Sequence, residues 1–304
     1  RHVGVELEIE DWEKVGLEIP MLVNLQPAGK YLGEDFHRAG GVPAVMNALL
    51  KAGKLHDSAI TVNGKTVADN YADTTTKDTE VIRTFLKPML ENAGFIVLKG
   101  NIFDSAVMKT SVISDIFRSQ YLDKPGSLNI FEARAIVFEG PEDYHSRIND
   151  PQLNIDVDCI LVIRGCGPVG YPGSAEVVNM QPPDRLIREG ILELPTLGDG
   201  RQSGTSASPS ILNASPESAV GGGLALLKTG DMLRIDLNQG SLDVLLDESE
   251  LQKRRGQLKT EVIENQTPWQ EIYRNTVGQL SSGGIIELAA KYKKIRNTIP
   301  RHSH

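Results

Sequence analysis

Between residues 94 and about 246 the chain is broken into short β-prone runs separated by Gly, Pro, Asn and Asp. This punctuation constrains the fold more than any other feature, because short runs bounded by turn formers build sheets rather than helix bundles. The best strands fall at 95–98, 106–109, 133–138, 159–164, 232–237 and 241–246, and the last two flank Asn238-Gln239-Gly240, a natural hairpin turn. So many short strands predict a β-barrel-like or sandwich-like domain. Helices are predicted to interrupt the series at 141–148, from about 173 to 180, and at 216–227, where Gly221-Gly222-Gly223 weakens the segment.

The flanks have a different texture. Residues 1–92 read as mixed α/β. A helix is predicted near 11–15, and a buried strand at 21–25 is closed by Pro27 and Gly29. A second helix over 44–51 is opened by Gly40-Gly41-Val42-Pro43. From 248 onward the chain is charged and helical, with amphipathic segments at 269–280 and 285–295.

Composition excludes several function classes. Asp plus Glu number 40 against 32 Lys plus Arg, giving a net charge of -8, which argues against nucleic acid as the main partner. No apolar run is long enough to cross a bilayer. Two cysteines, Cys159 and Cys166, provide neither a disulfide framework nor enough ligands for an iron–sulfur cluster. Nothing near Arg1 resembles a signal peptide, so a cytoplasmic location is expected.

Two loops stand out. The first, Arg164-Gly-Cys-Gly-Pro-Val-Gly-Tyr-Pro-Gly-Ser-Ala-Glu176, follows an apolar strand and is expected to lead into a helix. Glu176 would then sit in a first helical turn, as a ligand for a hard cation such as Mg²⁺ or, more plainly, as a capping residue. The letters Gly165-Cys-Gly-Pro-Val-Gly170 match a dinucleotide fingerprint, but Pro168 and Pro172 oppose the helix that this motif requires. The second loop, Leu197-Gly-Asp-Gly-Arg-Gln-Ser-Gly-Thr-Ser-Ala-Ser-Pro209, is rich in small and hydroxyl-bearing residues that let backbone approach a ligand. Cys159 reads as core. Cys166 lies in the first loop and carries little weight alone. His302 and His304 read as a frayed terminus or as a tail folding over a site.

Together these stretches resemble the carboxy-terminal half of the dihydroxy-acid and sugar-acid dehydratase family. The resemblance is carried by Leu98-Lys-Gly-Asn-Ile-Phe-Asp104, Gly170-Tyr-Pro-Gly-Ser-Ala-Glu176, Asp199-Gly-Arg-Gln-Ser-Gly-Thr205 and Asn213-Ala-Ser-Pro-Glu-Ser-Ala-Val-Gly-Gly-Gly223, in that order. Leu25-Gln-Pro-Ala-Gly-Lys-Tyr-Leu-Gly33, Val178-Asn-Met-Gln-Pro-Pro183 and the ending Ile299-Pro-Arg-His-Ser-His304 point to the branch acting on pentonates such as D-xylonate.

The resemblance implies loss of water from a sugar acid to give a 2-keto-3-deoxy acid. It implies Ser203 as the base, Glu176 as a Mg²⁺ ligand, Ser203 and Thr205 as substrate contacts, and Asp199, Arg201 and His304 as secondary candidates. It also implies Mg²⁺ and a 2Fe–2S cluster as Lewis acids, a small sugar-acid substrate and a homodimer or homotetramer. Residues 1–92 would be the end of the family's α/β domain, 93–257 a β-barrel-like domain with flanking helices, and 258–304 a helical tail. One departure is large. The family's cluster cysteines and its other Mg²⁺ ligands lie in an amino-terminal half that nothing here matches, so the chain is expected to be part of a longer enzyme, without a cluster and inactive alone.

Two rival readings remain open on the sequence. One is a non-catalytic β-domain module binding a partner chain or ligand. The other is a serine hydrolase on Ser203, for which the six histidines offer no convincing base.

Overall fold

The computed structural model describes residues 1–2, 4–204, 206, 209–259 and 263–292. Its centre is a closed barrel of eight strands. These are β1 (Phe95–Gly100), β2 (Phe103–Lys109), β3 (Ile130–Glu139), β4 (Cys159–Arg164), β5 (Thr196–Gly198), β6 (Ser210–Ser215), β7 (Met232–Asp236) and β8 (Ser241–Val244). The strand order around the barrel is β1-β2-β6-β5-β4-β3-β7-β8. The run β3-β4-β5-β6 is parallel, the pairs β1-β2, β2-β6, β3-β7 and β7-β8 are antiparallel, and β8 closes on β1 in parallel through Lys99 and Ser241.

Side chains of period two sort the apolar residues into two layers. Ile160 and Val162 of β4 join Ala133, Ala135, Met108, Ile211, Leu233 and Ile235 in the barrel core. Cys159, Leu161 and Ile163 of the same strand face outward into a second cluster with Ile136, Phe138, Val107, Leu212 and Val178. A strand buried on both faces must be apolar throughout, which is why β4 is the plainest strand in the sequence.

All six predicted strands form, most with a shift of one to three residues at an end. The turn at 238–240 joins β7 to β8, and Gly240 suits it because its φ is +61° and a Cβ there would lie 2.6 Å from Val97 O. Three expectations fail. The 21–25 run makes only isolated bridges, Met21 with Leu90, Val23 with Ile82 and Leu25 with Tyr31. The 216–227 segment forms two short 3₁₀ turns, Ser218–Val220 and Gly223–Leu226, as its three glycines disfavour a helix. The predicted helix at 173–180 is absent: its backbone pairs sideways with the 200–201 loop instead. The next helix is Asp184–Arg188, beginning after Pro182-Pro183.

Around the barrel lie the helices Asp11–Gly16, Gly33–Arg38, Gly41–Lys51, Gly140–Arg147, Glu248–Gln257 and Pro268–Thr276. Among the described residues no helix is long and apolar enough to cross a membrane.

Candidate active site

The parallel strands β4 and β5 end side by side and launch the two notable loops from the same rim of the barrel. Two buried carboxylates hold those loops. Asp199, with no exposed surface, follows β5. Its Oδ1 accepts from Cys166 N at 2.9 Å, and its Oδ2 accepts from Gly165 N at 3.0 Å, Ser218 N at 2.9 Å and Ser218 Oγ at 2.7 Å. Glu217, 1% exposed, accepts from Val169 N, Gly170 N and Gln279 Nε2, each at 2.9 Å. Burial raises the pKa of Glu217, and these hydrogen bonds oppose that shift. A Cβ on Gly167 would lie 2.4 Å from Glu217 Oε2, so glycine is what the close approach requires. Amide groups that would cradle a phosphate in a dinucleotide-binding turn are here taken by the chain's own carboxylates.

Glu176 is exposed on an extended segment and not at a helix start, because Pro172, Gly173 and the cross-strand pairing leave no room for a helical turn. Arg201 N donates to Ala175 O at 2.8 Å, Arg201 Nε to Ser174 O at 2.7 Å, and Val178 N to Arg201 O at 3.1 Å. Arg201 Nη1 then stands 3.6 Å from Glu176 Oε1. These bonds bring the Glu176 and Ser203 loops together, with Arg201 between them. Thr205 and His304 lie outside the described residues.

Ser203 lines two cavities. One, of about 480 Å³, lies against the outer face of β1, β2 and β6 and is also lined by Trp12, Phe95, Lys109, Asn213 and Leu280. Burial lowers the pKa of Lys109, which makes no ion pair among the described residues. Asn213 Oδ1 is buried there without a hydrogen-bond partner among those residues. The other cavity, of about 550 Å³, is lined by Pro27, Ala28, Ser114, Asn179 and Glu193 as well as Ser203. Sequence reasoning singles out neither Lys109 nor the two asparagines. Lys109 ends a predicted strand, and Asn179 and Asn213 lie in stretches that carry the resemblance without being given a role.

Glu176 suits Mg²⁺ as a single exposed carboxylate, since that ion takes one or two carboxylates and keeps several waters. Among the described residues no group of three or more His, Cys, Asp or Glu is placed to hold a metal. Neither cysteine fits an iron–sulfur cluster. Both have no exposed surface, and burial raises both thiol pKa values, that of Cys159 to about 11.

Comparison with known sequences matches residues 1–70 to the dihydroxy-acid/6-phosphogluconate dehydratase N-terminal family model and residues 80–284 to the corresponding C-terminal model. The chain belongs to the dihydroxy-acid/6-phosphogluconate dehydratase family. It is 59% identical to D-xylonate dehydratase of Caulobacter vibrioides over 304 residues, covering all of this chain and 51% of that protein. It is 42% identical to L-arabinonate dehydratase of Rhizobium leguminosarum bv. trifolii over 83% of this chain and 42% of the relative. Dihydroxy-acid dehydratase of Acidothermus cellulolyticus is 34% identical over 94% of this chain and 48% of its own length. The chain thus spans about half the length of the curated relatives it matches.

Proposed function

We propose that this chain supplies the base and one metal ligand of a sugar-acid dehydratase whose substrate is an aldonate such as D-xylonate. The observation that supports this reading is the pairing of the Glu176 and Arg201 segments, which sets a metal-competent carboxylate and the Ser203 loop on one rim of the barrel. The likeness to proteins named for D-xylonate and L-arabinonate supports the substrate class.

In this reading Ser203, as its alkoxide, takes the proton from C2 of the substrate. The C2–H electron pair becomes the C2–C3 double bond, the C3–O bond breaks, and the departing hydroxide takes the proton that Ser203 removed, so that water leaves and the alkoxide is restored. The enol then tautomerises to the 2-keto-3-deoxy acid. Mg²⁺ held in part by Glu176 would supply the positive charge that stabilises the carbanion-like state and the alkoxide. Arg201 positions Glu176, and Asp199 fixes the loop from which both Arg201 and Ser203 extend. Cys159 and Cys166 hold no cluster, so cluster ligands belong to sequence outside this chain. Further ligands to Mg²⁺ do likewise, and the assembled enzyme is a homodimer or homotetramer.

The test is keto-acid formation from D-xylonate by the chain supplied with the amino-terminal half that its relatives carry. Activity that Ser203→Ala abolishes is expected, with none from the chain alone and no iron or sulfide in it. Unchanged activity in Ser203→Ala overturns the assignment of the base.

A further inference from the structure

The cavity of about 550 Å³ beside Ser203 gathers two stretches for which the proposed chemistry has no use. One is the Leu25–Gly33 stretch, represented by Pro27 and Ala28. The other is the Val178–Pro183 stretch, represented by Asn179. Both are held firmly. Asn24 Oδ1 accepts from Lys30 N at 2.8 Å, and its Nδ2 donates to Glu80 O at 3.0 Å. A Cβ on Gly29 would lie 2.4 Å from the Asn24 carbonyl carbon, so the turn that carries Pro27 and Ala28 is closely packed. Val178 N is bound to Arg201 O, which sets Asn179 beside the Ser203 loop.

Among the polar residues lining this cavity, which include Ser111, Ser114 and Gln181, two carry acceptor oxygens with no donor among the described residues. Asn179 Oδ1 is buried and accepts no hydrogen bond from the described residues. Glu193 Oε1 accepts from Ser114 Oγ, while its second oxygen accepts nothing among them. Among the described residues no lysine or arginine lines the cavity. Acceptors without cations suit groups that donate hydrogen bonds and carry no negative charge, such as the hydroxyls of a polyol. A phosphate there would meet the Glu193 carboxylate with no cation among the described lining residues to neutralise either charge.

We propose that this cavity is the subsite for the distal hydroxyls of the substrate, with Asn179 and Glu193 as specificity residues that accept from the hydroxyl tail and reject a terminal phosphate. The assignment rests on the sugar-acid dehydratase reading and deepens it: the substrate is an unphosphorylated aldonate longer than its reacting 2,3-diol.

The experiment compares kcat/KM ratios in the chain supplied with its amino-terminal half. Asn179→Leu is expected to lower the ratio for D-xylonate over 2,3-dihydroxybutanoate about tenfold, the worth of one hydrogen bond to a buried acceptor, mainly through KM. Asn179→Asp, which keeps the acceptors, retains most of that ratio. Glu193→Lys is expected to raise the ratio for 6-phospho-D-gluconate over D-gluconate roughly tenfold or more, and Glu193→Gln to raise it less. If D-xylonate is converted but none of these ratios moves, the subsite assignment is overturned and the dehydratase reading stands. If the wild-type enzyme converts none of the four acids, the dehydratase reading fails and the subsite falls with it.

Discussion

Asp199 ties the end of β5 to the end of β4, accepting hydrogen bonds from Gly165 N at 3.0 Å and Cys166 N at 2.9 Å while exposing no surface. A buried charge persists only when hydrogen bonds replace its hydration, and here four do so. Asp199→Asn turns one acceptor into a donor facing other donors. The expected loss is about 3 kcal/mol of unfolding free energy by urea denaturation. A loss under about 1 kcal/mol would show that the carboxylate is not the fastening of these loops.

Glu176 presents the opposite case. Its carboxylate is half exposed and its ion pair with Arg201 is long, so Glu176→Gln is expected to change stability by less than about 1 kcal/mol. In the assembled enzyme the same substitution is expected to raise the Mg²⁺ concentration needed for half-maximal turnover at least tenfold. An unchanged Mg²⁺ requirement removes Glu176 from the metal site.

Glu217 links stability to pH. Burial raises its folded-state pKa above that of the unfolded chain, so the folded protein holds the proton more tightly. The resulting stabilisation is fully present below the ordinary carboxylate pKa and is lost as pH rises through the folded value. The unfolding free energy of the wild type, measured relative to Glu217→Gln, is therefore expected to fall as pH rises from about 4. A difference that is flat with pH, or one that rises, contradicts burial as the dominant cause.

The glycines of the first loop differ from those elsewhere. Gly167→Ala drives a methyl group into Glu217 and is expected to cost about 2 kcal/mol in denaturation experiments. At Gly204 a methyl group would meet nothing within 4 Å among the described residues and the backbone is not left-handed, so Gly204→Ala is expected to be neutral within about 1 kcal/mol. Equal effects at both positions would contradict the tight approach at Gly167.

Cys159 and Cys166 should resist alkylation. Both have no exposed surface and raised thiol pKa values, so iodoacetamide at neutral pH is expected to label neither in the folded chain and both after denaturation, as read by mass spectrometry. Rapid labelling of either thiol in the folded chain contradicts its placement in the core.

The parts of the fold legible in the sequence are those whose burial is written in apolar residues. The strand Cys159–Arg164 is the clearest, apolar on both faces and bounded by turn formers. The strands Thr196–Gly198 and Ser210–Ser215 are hidden because part of what they bury is polar: Thr196 Oγ1 donates to Ser210 Oγ at 2.7 Å inside the protein, so hydroxyl residues satisfy each other where aliphatic ones would advertise a strand. The local sequence around Glu176 permits a helical start, while the decisive bonds come from Arg201, 25 positions later, and hold the segment extended. Spacing alone leaves Glu176 and Ser203 as ordinary loop residues, and only the family resemblance raises them to candidates. Nothing in the sequence marks Glu217, which follows a proline at the start of the segment read as a helix. Its burial depends on a long-range approach to Gly170 and Gln279 that no local pattern encodes.

The glycine loop that closes on Asp199 and Glu217 has a consequence for timing. A turn that waits for a phosphate is ordered by its ligand, and the entropy of that ordering weakens binding. Here the anions are built in, so the loop takes its shape during folding. A ligand then meets a rim already set, and inorganic phosphate or nucleotides in the cell find the amides of Gly165, Cys166, Val169 and Gly170 already taken.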